Sequence, residues 1–416
     1  MVGSRWLPAM AICRAIPKLG RLRYTQRVTD RLYYRDAYLV EFDAAVVERG
    51  DDGRRVYLDR TAFYPTSGGQ PFDTGRLDTA EVVEVVDEGE RVAHVLSGPV
   101  GGDRLRGVVD WTRRFDHMQQ HTGQHLLSAV MADRFGHETV SVHFGRESST
   151  LDLATASLSH DDVVEAERLA NRAVTDNRPV TVGFEEATTA AGLRKPTDRQ
   201  GTIRIVTIAD LDRSACGGTH VRATGEIGPI LLRKIERVRQ VMRVEFLCGE
   251  RAIRRARTDT DLLAGLAAAH SAAADELPAV LESQRAELKA TAAARRELEE
   301  TVAGFRAREL YASTEPDARG RRVAMVREPE GPIERLRPLA QAYAAFPRAV
   351  FVGIVEQPPS ILLTAAMDAG VDAGKLLKPA LEASGGRGGG NARSAQGTVK
   401  DPAELAALVE RVLDAG

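Results

Sequence analysis

The sequence predicts an α+β protein with a small N-terminal β-domain, an α+β core carrying a candidate metal site, a helical or coiled-coil linker and a C-terminal α/β domain. Three observations carry this expectation. Short β-type runs separated by turn clusters fill residues 30–110. The apolar period then turns helical around His117, His121, His125 and Ser128, and strand-like runs return after it. Finally, 251–312 is rich in Ala, Leu, Glu and Arg, with no glycine between Gly265 and Gly304.

Residues 1–29 form a basic extension. Arg5, Arg14, Lys18, Arg21, Arg23 and Arg27 precede the first acid, Asp30. A transit peptide, an RNA-contacting arm and an early start all fit, so the segment is set aside from the fold. Over 30–110 the runs Leu39–Phe42, Val46–Val47, Val56–Leu58 and Val82–Val85 read as strands of a β-rich domain. Over 111–250 helices near 113–134 and 161–176 precede strands at Val180–Phe184, Ile203–Ile208 and Ile230–Lys234. In 251–312, Leu277, Leu281, Leu288, Leu298, Val302 and Phe305 make a near-heptad stripe, and Pro278 suits a first helical turn. A helical hairpin and an intermolecular coiled coil both satisfy that pattern. Beyond it, 313–416 alternates strands and helices.

Composition narrows the classes. A chain of 416 residues holds two to four domains at roughly 150 residues each. Hydrophobic content of 43% and charged content of 28% exclude a wholly disordered or fibrous chain. No apolar run approaches the roughly 18 residues that span a bilayer, so no membrane role is expected. Cys13, Cys216 and Cys248 are too widely spaced for a disulfide framework, which points to a reducing, cytoplasmic compartment. The net charge of −2 decides nothing about nucleic acid, but 233–257 concentrates Arg233, Lys234, Arg237, Arg239, Arg243, Arg251, Arg254, Arg255 and Arg257. Such a strip can follow phosphates or simply be a solvated surface.

His121-Thr122-Gly123-Gln124-His125 places two imidazoles at i and i+4 on one helical face. Cys216-Gly217-Gly218-Thr219-His220 adds a thiolate and an imidazole around two glycines. Together they form a tetrahedral N/S set suited to one Zn²⁺ per chain. Four protein ligands would close the sphere of a structural ion, whereas loss of Cys216 from it would admit a catalytic water. His117 cannot share an ion with His125, because eight residues of helix rise about 12 Å.

These motifs resemble the editing domain of alanyl-tRNA synthetases and, more closely, the free-standing AlaX trans-editing proteins of the long form. The glycine-rich segment Phe63–Gly75, the pair Thr139–Phe144 and Leu151–Leu153, and Arg243–Phe246 agree in order and spacing. Gly385–Gly397 is similar to the DHH-associated domain that closes those synthetases. The resemblance implies hydrolysis of mischarged tRNA specific for alanine, chiefly seryl and also glycyl, by an aminoacyl-tRNA hydrolase that does not activate alanine. It further implies that Thr66 recognises the serine hydroxyl and that Gln70 orients the terminal ribose or the ester. Arg243, Arg251, Arg254, Arg255 and the loop Gly388, Gly389, Gly390 would contact tRNA. The helical stretch or the C-terminal domain would offer a homodimer interface. A catalytically silent tRNA-binding accessory protein and a small-substrate esterase on the same scaffold are the alternatives.

Overall fold

The computed structural model describes residues 28–415, so the basic extension 1–29 lies outside the described residues except for its last two. The chain forms two compact units divided between Leu263 and Ala264.

The first unit opens with six antiparallel strands: β1 (Glu41–Arg49), β2 (Arg55–Leu58), β3 (Gly75–Leu77), β4 (Ala80–Glu88), β5 (Arg91–Leu96) and β6 (Arg104–Val109). They close into a barrel in the order β1-β2-β5-β4-β3-β6. Alternation drives closure, since every second residue of β6 is buried, and Phe42, Leu58, Phe63, Leu77, Leu96 and Leu105 fill the interior. His94 also lies inside, 2.8 Å from the Thr61 hydroxyl. Burial pushes its pKa down to about 4, so it is a neutral core histidine.

The long helix α1 (Trp111–Phe135) follows at once. Asp110 caps it by accepting the Arg113 N–H at 3.2 Å, and Gly136 ends it in the left-handed region at φ 69°. Residues 117–131 of α1 are buried throughout, because the helix is sandwiched rather than laid on a surface. After it come β7 (Thr139–Phe144), β8 (Ser149–Leu153), α2 (His160–Thr175), β9 (Val180–Glu186), β10 (Thr202–Ile208), β11 (Asp212–Ala215), β12 (Ile230–Val238), β13 (Val241–Cys248) and α3 (Glu250–Ala269). A four-stranded sheet runs β12-β13-β8-β7, and a three-stranded one runs β9-β10-β11. Met118, Leu126, Leu127 and Val130 of α1 meet Leu151, Val244 and Phe246 of the larger sheet in one core.

A buried ion pair ties the glycine-rich segment to α1. Arg114 and Asp73 are both fully inaccessible. Arg114 Nε lies 3.0 Å from Asp73 Oδ2, and the other guanidinium nitrogens donate to the carbonyls of Ala37 and Ala62. Asp73 in turn accepts the Tyr64 N–H at 2.6 Å. Each end of the pair is thus saturated with hydrogen bonds, which a buried charge requires.

In the second unit, α4 (Leu277–Ser313) begins with Pro278 in its first turn, as the spacing predicts. Leu281, Leu288, Leu298, Val302 and Phe305 are exposed on it. Then come β14 (Arg322–Glu330), α5 (Arg337–Tyr343), β15 (Ala349–Gln357), β16 (Ser360–Ala365), α6 (Ala373–Ala383), β17 (Arg387–Gly390), β18 (Ser394–Thr398) and α7 (Pro402–Ala415). The five-stranded sheet runs β14-β15-β16-β18-β17, with only β14 and β15 parallel. Helix α6 forms with Gly374 and Pro379 inside it. Its buried Leu377 and Leu381 dock it onto the core all the same.

The glycine-rich stretch, expected as a loop, is in fact the edge strand β17. Sterics explain the difference: a Cβ on Gly388 would sit 2.3 Å from the Gln396 carbonyl oxygen, and one on Gly390 would sit 2.2 Å from that of Ser394.

Arg114→Met is expected to destabilise the first unit by about 3–5 kcal/mol by orphaning the Asp73 carboxylate. Adding Asp73→Leu should restore part of the loss, and urea unfolding of the single and double variants checks this.

Candidate metal centre

Helix α1 places His121 and His125 one turn apart, and the turn after β11 brings Cys216 and His220 to them. The four donor atoms all lie within 4.8 Å of one another, a group that could hold a metal ion. Cys216 Sγ is 3.4 Å from both His121 Nε2 and His220 Nε2. Two glycines permit this closeness. A Cβ on Gly218 would fall 2.0 Å from His121 Cε1, and one on Gly123 would fall 2.3 Å from Cys248 Sγ. Gly218 therefore lets the loop lie against the imidazole. Gly123 lets α1 seat against β13, which accounts for a glycine inside a helix.

The outer nitrogens are all engaged. His121 Nδ1 lies 2.9 Å from Gln70 Oε1, His125 Nδ1 lies 2.8 Å from Asp212 Oδ2, and His220 Nδ1 lies 3.2 Å from Thr122 Oγ1. With each Nδ1 held, His121 and His220 turn Nε2 toward the thiol, the arrangement a metal-ligating imidazole needs. Electrostatics agree. Burial pushes the Cys216 thiol up, but the three imidazoles outweigh it and hold it well below the ordinary thiol value. For His125, burial acts downward, yet Cys216 and then Asp212 raise it to about 9. His220 is driven down to about 3 by burial. Without a metal, these shifts favour opposite charges side by side, the thiolate form of Cys216 and the protonated form of His125. Three imidazoles and a thiolate suit a borderline-soft ion rather than calcium or magnesium.

Gln70 faces the centre. It is buried, its Nε2 donates to Thr219 Oγ1 at 2.7 Å, and its Oε1 accepts from the Thr219 N–H at 3.1 Å as well as facing His121. The oxygen and one of the two amide N–H groups are spent on holding the centre together, which leaves at most the second N–H for a ribose or an ester. Thr66 is exposed on the turn above, where its hydroxyl accepts the Phe72 N–H at 3.1 Å and keeps its own proton free to donate. A polar cavity of about 280 Å³ opens beside His125, with Gln124, Ser141, Arg194 and Ser214 in its walls.

The arginines of the basic strip are largely spoken for. Arg243 pairs with Asp152 at 2.7 and 2.9 Å, and Arg255 pairs with Asp259. Arg251 is buried, pairs with Asp116 at 2.7 Å and donates to the Gly145 carbonyl. Arg254 remains exposed, its closest acid being Glu250 at 3.9 Å. Gly388, Gly389 and Gly390 belong to the second unit. Asp212, Thr122, Asp73 and Arg114 were not singled out from the sequence. Thr122 stood inside the His-x-x-x-His motif, and Asp212 stood four residues before Cys216, but neither spacing announces a partner.

The segment 203–244 matches the second additional domain of threonyl and alanyl tRNA synthetases, and 339–415 matches the DHHA1 domain. The alanyl-tRNA editing protein AlaX-M of Methanosarcina acetivorans is 37% identical over 50% of this chain and 94% of its own length. AlaX-L of Pyrococcus horikoshii is 35% identical over 54% of this chain and 59% of its own. The alanine–tRNA ligase of Pyrococcus abyssi is 31% identical over 92% of this chain, which spans only 43% of that enzyme.

At pH 7 metal uptake should release about one proton. His125, raised to about 9, must lose its proton to present a lone pair, and it does so beside a Cys216 thiol held well below its ordinary value. Calorimetry in buffers of different ionisation enthalpy reads that count. Asp212→Asn should weaken metal binding by about 10- to 100-fold in a chelator competition.

Proposed function

Since the chain belongs to the family of AlaX-type alanyl-tRNA editing proteins, we propose that it is a trans-editing hydrolase of the cytoplasm acting on mischarged tRNA specific for alanine. Its substrates are chiefly the seryl and also the glycyl esters. The observation that carries this reading is the convergence of His121, His125, Cys216 and His220 to within 4.8 Å, in a chain of that family. Their donor set favours one Zn²⁺ per chain. When bound, that ion would position the aminoacyl end and polarise water.

The chain's own residues supply the rest. Asp212, Thr122 and Gln70 fix the three imidazoles through their outer nitrogens. Thr66 keeps a hydroxyl proton free for the oxygen of a seryl side chain, an acceptor that alanine lacks. The cavity beside His125 offers hydroxyls and cations to a polar ester end. A second sieve of this kind answers a limit of the first: a pocket made for alanine rejects an isostere with one added hydroxyl by only about 100-fold.

Seryl-, glycyl- and alanyl-charged tRNA specific for alanine are to be incubated with the protein, with and without a zinc chelator. Release of serine that the chelator stops, with alanine spared, is expected; no release from any of the three would leave a tRNA-binding scaffold. His121→Ala and His125→Ala should lose metal and deacylation together. Thr66→Val should reduce the preference for serine over alanine by about 3- to 10-fold, the worth of one hydrogen bond.

A further inference from the structure

A second cavity of the first unit is lined by none of the four candidate ligands. It is a cleft of about 640 Å³ beneath the N-terminal half of α1, bounded by Pro71, Gly145 and the start of α3. Pro71 directly follows Gln70 and Gly145 directly follows Phe144, two of the residues that face the His121 ring, so the cleft backs onto the centre. His117 in its wall precedes His121 by one helical turn, about 6 Å along the axis.

Three features mark the cleft as a binding site. Trp111 lines it, 37% exposed, with its ring supported by Phe115 at 5.1 Å and Tyr38 at 5.2 Å. Such a braced, half-open indole is a ready stacking surface. Arg146 and Arg254 stand exposed in the same walls, Arg254 at 3.9 Å from Glu250 and Arg146 in no ion pair among the described residues. Arg251 is held back by Asp116 and the Gly145 carbonyl, so it shapes the wall rather than reaching outward. The third feature is His117, 94% buried (6% exposed), whose Nδ1 has no hydrogen-bond partner among the described residues. A buried nitrogen left unpaired costs about 1–3 kcal/mol, a cost that a polar ligand atom in the cleft would relieve. Burial and then Arg113 lower this histidine to about 4, so it meets such an atom as a neutral imidazole.

We propose that this cleft takes an unpaired nucleotide of a single-stranded RNA end, with the base stacked on Trp111 and a phosphate held by Arg146 and Arg254. The identity of the strand rests on the editing reading: an aminoacyl ester at the metal centre leaves its preceding nucleotides to cross the adjoining surface. A flat aromatic beside exposed guanidinium groups matches a base joined to a phosphate better than it matches a bare anion.

The chain has two tryptophans, so a Trp6→Phe variant reports on Trp111 alone. Titrating this variant with the trinucleotide CCA should quench its fluorescence to saturation, more weakly as salt rises. Arg146→Ala on that background should raise the dissociation constant by about 5- to 10-fold. In deacylation of seryl-tRNA, Arg146→Ala and Trp111→Leu should raise KM by a similar factor with metal content unchanged. Absence of quenching, a CCA affinity indifferent to Arg146→Ala, or inorganic phosphate competing as well as CCA would overturn the proposal. If seryl-tRNA is deacylated with an unaltered KM in both variants, the cleft assignment fails and the editing reading stands. If CCA quenches Trp111 in an Arg146-dependent way but no ester is hydrolysed, the cleft assignment stands and the editing reading fails.

Discussion

The buried pair of Arg114 and Asp73 is the constraint from which the first unit is organised. One guanidinium joins three chain segments, through the carbonyl of Ala37, the carbonyl of Ala62 and the carboxylate of Asp73, to a helix that also carries two of the four candidate ligands. The glycine-rich segment is thereby held at a fixed height along α1, and this is what lets Gln70 reach His121 and Thr219 together. An apolar contact of equal volume could glue the segments, but it would not set direction. Five fixed N–H vectors do, at the desolvation cost that any buried charge carries.

From that anchor outward, the centre is built by orientation more than by proximity. Each imidazole is gripped at the nitrogen that faces away from the cluster, by an amide, a carboxylate and a hydroxyl in turn. The grips come from the turn preceding β3, from β11 and from α1 itself, so the centre is knitted into both the barrel side and the sheet side of the unit. Asp212 does more than orient, because after Cys216 it is its hydrogen bond that raises His125 toward the protonated form. The two opposite charges occupy one small volume that burial alone would forbid.

The sequence disclosed the parts of this design whose logic is local. A four-residue histidine spacing implies one helical face, a Cys-Gly-Gly-Thr-His turn implies a tight chelating loop, and β-type alternation implies strands. Legibility stopped where partners are distant in the chain. Asp73 meets Arg114 across 41 residues and Asp212 meets His125 across 87, with no periodicity to announce either contact. The same limit explains the basic strip. Counting arginines cannot show that Arg243 and Arg251 are already neutralised by Asp152 and Asp116, acids that lie 91 and 135 residues earlier. The motif singles out Gln70, but whether its amide faces outward or inward depends on Thr219, 149 residues away.

In the glycine hairpin of the second unit, packing alone already demands glycine at two of three positions. At Gly388 and Gly390 any side chain would collide with the backbone of β18, whereas at Gly389 nothing lies within 4 Å. Among descendants of this chain, the first and third of these positions should therefore stay glycine whatever the surface binds. Only the middle one is free to drift, so it alone can record, through the substitutions a lineage accepts or refuses, whether something has to fit against this edge.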